Sequence, residues 1–136
     1  MIVWKNVSDN QAETCRVKMR ASGSSTSAGY ESQEIYASGT TIGTRANFSG
    51  TDEWYFLGIS GNDRGNSANW FDLLSPNQSS YTNFYSLGGN QIEATGRMNI
   101  GIFNGCLTDT TAYDGISLLS PLNMTGTLFV YGYAKE

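Results

Sequence analysis

Three features of the sequence predict an all-β fold, an antiparallel β-sandwich of jelly-roll-like type. Glycine (16) far outnumbers proline (2), and it recurs with Ser, Thr and Asn in short clusters that read as tight turns. Between the clusters lie runs rich in β-branched and aromatic residues, several with period-two alternation. The long Ala/Leu/Glu/Lys runs that helices favour are absent, and neither a helix nor an internal repeat emerges. At 136 residues the chain is one domain. Near this length a domain buries about 68–70% of its unfolded surface, enough for a core without staples.

The elements follow in order. Residues 1–12 open on Ile2, Val3 and Trp4 and turn polar; they read as an edge strand or an arm, ahead of a sandwich domain over residues 13–136. Residues 15–21 set Cys15, Val17, Met19 and Ala21 against Arg16, Lys18 and Arg20, a half-buried strand with one solvated face. Residues 22–29 are a small-residue loop. Residues 30–37, which carry Ile35, and 40–48, broken by Gly43, read as strands, and 53–59 as a stronger one. Residues 60–68 are loop, 69–74 strand, 76–80 turn. A strand over 81–87 is expected to close at Gly88-Gly89-Asn90, and one over 92–103 is interrupted by Gly96 and Gly101. After a loop over 104–114, the closing segment reads as two strands joined by a turn at Pro121, Asn123 and Gly126. Leu128 and Val130 share one face of its last strand; Phe129, Tyr131 and Tyr133 share the other. One face is expected in the core and the aromatic face at a subunit contact or under a covering loop. A chain ending there is expected to tie its C-terminus into the sheet.

Composition narrows the function. Net charge is −4, without the basic footprint of a general nucleic-acid binder. Charged residues make up 15%, below the usual ~25%, so solubility rests on hydroxyls and amides. No apolar run approaches the ~20 residues of a membrane span, and Met1-Ile-Val-Trp-Lys-Asn6 lacks the regions of a secretory signal. Synthesis in a cytoplasm is the expectation. Cys15 and Cys106 make no disulfide framework; a buried free thiol at Cys15 is favoured over a Cys15–Cys106 bridge. Asn6, Asn47, Asn77 and Asn123 head glycosylation sequons, which arise by chance in an Asn/Ser-rich chain.

The inventory for catalysis is thin. There is no histidine, hence no usual general base and no Ser-His-Asp or Cys-His arrangement. Of the carboxylates, Asp52 and Glu53 are neighbours that would point opposite ways on a strand, and Asp109 and Asp114 lie in a loop. Asn62, Asp63 and Asn66 lack the spacing and closing Glu of a calcium loop. No catalytic, cofactor-binding or metal-ligating residue is assigned, and the protein is expected not to be an enzyme. The aromatics are the resource. Trp4, Trp54, Trp70 and eight Tyr suit sugar stacking or a subunit interface, with core packing as the plainer reading for Trp54 and Trp70. Arg16, Lys18 and Arg20 form a basic stripe suited to an acidic partner or simply to water. The candidate interface is therefore Trp4, Arg16, Lys18, Arg20, Phe129, Tyr131 and Tyr133.

Gly115-Ile-Ser-Leu118 and Thr125-Gly-Thr-Leu-Phe-Val-Tyr-Gly132 resemble the closing hairpin of small β-sandwich domains in bacteriophage virion proteins, on capsid surfaces and in tail fibres. Glu53-Trp-Tyr-Phe-Leu-Gly-Ile-Ser60 followed by Asn69-Trp-Phe-Asp-Leu-Leu-Ser75 is a second, weaker match. The resemblance implies a virion structural protein made in the host cytoplasm. The sequence shows no shaft, coiled coil or triple-helical repeat, so a capsid decoration protein is favoured over a tail fibre. It implies binding to the major capsid or other virion proteins and self-association with a trimer favoured; from composition and motifs, no cofactor and neither nucleic acid nor membrane is expected as partner. The alternatives are a receptor-binding tip or carbohydrate-binding module that uses exposed aromatics on a surface glycan, and, more remotely, a small secreted adhesin.

Overall fold

The computed structural model describes residues 2–8, 13–60, 67–92, 97–119 and 124–132, and within them the chain is all-β. Its strands are β1 (Ile2–Ser8), β2 (Glu13–Ala21), β3 (Ser24–Ser25), β4 (Tyr30–Ser38), β5 (Thr41–Thr51), β6 (Trp54–Ser60), β7 (Ser67–Leu74), β8 (Thr82–Ile92), β9 (Arg97–Leu107), β10 (Gly115–Leu119) and β11 (Met124–Val130). All pairings are antiparallel. A seven-stranded sheet runs β11-β1-β7-β8-β9-β4-β5, and a four-stranded sheet is built around β2. Arg20 pairs with both Gly115 and Ser25, and Val17 with both Leu118 and Trp54. Hence β10 flanks one edge of β2, while β3 and β6 share the other. The small sheet is three strands wide and covers the middle of the large one. This is the expected antiparallel sandwich.

Strand pairing overrides the local reading in five places. Residues 2–8 are neither arm nor edge: β1 pairs with β11 on one side and with β7 on the other. The closing segment is not a hairpin. β10 pairs with β2 and β11 with β1, so the two strands belong to different sheets; Pro121 and Asn123 lie outside the described residues. β8 does not close at Gly88. Its ladders continue on both sides, with Gly88 opposite Asn69 and Gly101, because an interior strand is held by two sets of bonds where a lone glycine would loosen one. β9 likewise runs on to Leu107 through residues expected as loop. Residues 22–29 also shorten to a hairpin. Ala21 pairs with Ser24 around Ser22 and Gly23, both at positive φ (50° and 81°), as a two-residue turn of the mirror-image type requires.

The core lies between the sheets. Val17, Met19 and Trp54 of the small sheet meet Tyr30, Phe71, Phe84, Phe103 and Leu107 of the large one, and Tyr113 joins from the segment after β9. Trp54 is the keystone. It stacks on Phe84 at 4.9 Å and meets Tyr30 edge-on at 5.1 Å. Its Nε1–H donates to the Cys106 carbonyl at 3.2 Å. The ring approaches the backbone so closely that a Cβ at Gly105 would sit 2.9 Å from Nε1 and 2.8 Å from the Glu31 carbonyl oxygen. Tyr30 ties the layers together as well: its hydroxyl accepts the Met19 N–H at 2.8 Å, and burial pushes it up to about 12.

Candidate interaction surface

Directly opposed residues on paired strands point to the same face, so the register sorts the large sheet into an inner and an outer side. The inner side carries Phe71, Phe84, Phe103 and Leu107, but also buried Ser32, Glu34, Asn69, Thr82 and Ser86. Among the described residues, Glu34 Oε1, both side-chain polar atoms of Asn69, Thr82 Oγ1 and Ser86 Oγ make no hydrogen bond. The outer side carries an exposed apolar band. Trp70, Leu87, Ile102 and Ile35 form one transverse row across β7, β8, β9 and β4; Ile100, Ala37 and Ile42 form the next across β9, β4 and β5. Ile35, Ile42, Ile100 and Ile102 are all exposed, Ile42 at 77%. β4 thus turns Ile35 to solvent and Glu34 to the core.

This apolar band has a polar border. Tyr85, Asn104 and Gln33 occupy the next outer row. Beside it an open concavity of about 400 Å³ is lined by Glu31, Ser32, Gln33, Asn83, Asn104, Gly105 and Cys106. The Tyr85 ring packs against Trp70 at 5.6 Å, so the hollow has an aromatic platform at its flank. An apolar centre with an amide and aromatic rim has the anatomy of a recognition surface.

The residues named from the sequence are distributed differently. Arg16, Lys18 and Arg20 do share the face of β2 opposite buried Val17 and Met19, but the charges of Arg16 and Lys18 are answered within the chain. Arg16 Nη1 lies 2.7 Å from Glu53 Oε1; Lys18 Nζ lies 3.8 Å from Asp52 and 4.0 Å from Glu53. β6 begins at Trp54, so Asp52 and Glu53 precede the strand and converge instead of pointing apart. Arg20 Nη2 donates to the Gly23 carbonyl at 2.6 Å. Trp4 stands on β1 opposite Leu128 and Asn69. Phe129 and Tyr131 are exposed, while Tyr133 lies outside the described residues. The opposite face of β11 is not core: Leu128 and Val130 are exposed too, because β11 ends the large sheet beyond the reach of the small one.

The remaining polar candidates serve the fold. Asp109 Oδ1 accepts the Thr111 N–H at 2.8 Å and its hydroxyl at 2.7 Å, which holds the carboxyl below its usual range. Asp114 Oδ2 accepts the Ser22 N–H at 3.0 Å. Cys106 is a free thiol, which removes the Cys15–Cys106 bridge; burial pushes it up. Among the described residues no three His, Cys, Asp or Glu side chains gather to hold a metal ion. Asn62, Asp63 and Asn66 lie outside the described residues. Compared with family models, curated proteins and solved structures, the chain matches none.

Proposed function

We propose that this chain is a non-enzymatic structural protein of a phage virion, a capsid decoration protein that binds and stabilises the outer shell through the outer face of its seven-stranded sheet. The observation that carries the proposal is the exposed apolar band on that sheet's outer side. Isoleucines face solvent at β4, β5 and β9 while Ser32, Glu34 and Ser86 are buried. A contiguous exposed apolar patch marks an interaction site, and a sheet covered on both faces by protein needs apolar residues on both. The resemblance of the closing segment to virion sandwich domains supports the same class, although its two strands lie in different sheets here. Co-sedimentation of the purified chain with shells lacking it tests the proposal. Saturable binding that also raises the shell's melting temperature is expected; no binding at any salt concentration overturns it.

A second reading is a receptor-binding tip or carbohydrate-binding module. It is favoured by one observation: the hollow beside Tyr85 is lined by Gln33, Asn83 and Asn104 amides and the Glu31 carboxylate, groups that match sugar hydroxyls as donors and acceptors. A glycan array separates the two, since specific retention of a sugar that Asn104→Ala abolishes supports the module and not the decoration protein.

A further inference from the structure

We infer that β11 is the edge through which two copies of this chain join, each adding its strand antiparallel to the other's about a two-fold axis. Among the described residues β11 pairs only with β1, so its other edge presents backbone donors and acceptors. Its side chains are open on both faces: Leu128 is 44% and Val130 67% exposed on one, Phe129 50% on the other. A partner lying against a sheet face covers one set and leaves the other wet. A strand added to the edge supplies cross-strand neighbours to both.

The two ends of the large sheet differ in how they are guarded. Exposed edges are ordinarily protected by charge, proline or bulges. β5 has such devices: it carries Arg45, and its pairing with β4 shifts register between Tyr30 and Ser32. β11, Met124-Thr-Gly-Thr-Leu-Phe-Val130, has neither charge nor proline. That composition also selects the occupant. About the two-fold axis residue i of one strand meets residue j of the other and j meets i, so a charge near the axis would lie close to its own equivalent and repel it. In a chain of net charge −4 an uncharged strand is where identical molecules can meet without repulsion. Two-fold pairing uses the same edge twice and leaves the guarded β5 edges outermost, which closes the assembly as a pair instead of a filament.

The inference is independent of what the outer face binds. Its test is the association state of the full chain by sedimentation across a wide concentration range, with amide exchange measured in parallel. A dimer is expected, with the amides of Met124–Val130 gaining protection as concentration rises. Leu128→Lys and Phe129→Lys, on opposite faces, should each weaken the dimer by at least about tenfold, while Ile42→Lys on β5 should leave it intact. If one lysine variant misfolds by circular dichroism, the other and the exchange data decide. A monomer at every concentration, a trimer, or a dimer that survives both β11 substitutions overturns the inference.

Discussion

Glu34 concentrates the physical conflict at the level of single residues. It is 5% exposed, its Oε1 makes no hydrogen bond among the described residues, and Arg45 Nε stands 3.9 Å from its Oε2. Arg45 is largely exposed and also lies over the Tyr36 ring at 4.7 Å, so its attraction is screened by water. Desolvation therefore wins, and burial lifts the carboxyl above its usual 4.5 despite the guanidinium. The folded chain then holds this proton more tightly than the unfolded chain. Its contribution to stability is greatest below pH 4.5 and is lost as pH rises through the shifted folded value. Glu34→Gln should leave stability nearly unchanged at low pH and raise it by about 1 kcal/mol at neutral pH, where a buried charge is removed. Thermal melts of both proteins across that range check it; parallel curves would mean that Glu34 titrates alike in the folded and unfolded chain. Sequence alone hides this residue. In Tyr30-Glu-Ser-Gln-Glu-Ile-Tyr36 the plain alternation rule sends Ile35 inward and Glu34 out, and only the position of the small sheet decides otherwise.

Among the strands, β2 shows what alternation reveals and what it leaves open. Val17 and Met19 are core and Arg16, Lys18 and Arg20 share the other face, as the pattern predicts. The pattern does not reveal that Asp52 and Glu53, far along the chain, turn back to pair with Arg16 and Lys18. The stripe is thus part of the fold before it is a docking surface. Arg16→Ala with Lys18→Ala strands the mostly buried Glu53 carboxylate, whose side chain is 12% exposed, and should cost about 1 kcal/mol or more of stability. Adding Glu53→Gln should recover most of that loss. Urea denaturation of the two variants measures both steps, and an unperturbed double variant would make the ion pairs incidental. The same lesson applies to β10 and β11. Strand composition located both, but turn residues between two strands fit a crossover between sheets as well as a hairpin. Partner choice resides in β2 and β1, not in the turn.

For the molecule as a whole, the sandwich was legible from turns and alternation, whereas its principal surface was not. Ile35, Ile42, Ile100 and Ile102 read as core material in sequence, and nothing local separates them from Phe103 or Leu107. The separation is architectural: the small sheet packs on one face of the large sheet, and among the described residues nothing covers the isoleucines on the other. That difference predicts two classes of response to substitution. Phe84→Ala removes a ring stacked on Trp54 and tilted against Phe71 at 5.4 Å, and should cost about 3–5 kcal/mol. Ile35→Glu with Ile102→Glu alters neighbours directly opposed on β4 and β9 that are already in water. It should change the stability of the isolated chain by about 1 kcal/mol or less, yet reduce binding to the partner shell by more than about tenfold, since it places two charges in the centre of an apolar contact. Melting curves and shell co-sedimentation, run on the same preparations, measure the two effects. An isolated chain badly destabilised by the paired glutamates would mean that the outer face is covered within its own fold. Unaltered stability with unaltered binding would leave the face open and move the shell contact elsewhere on the molecule.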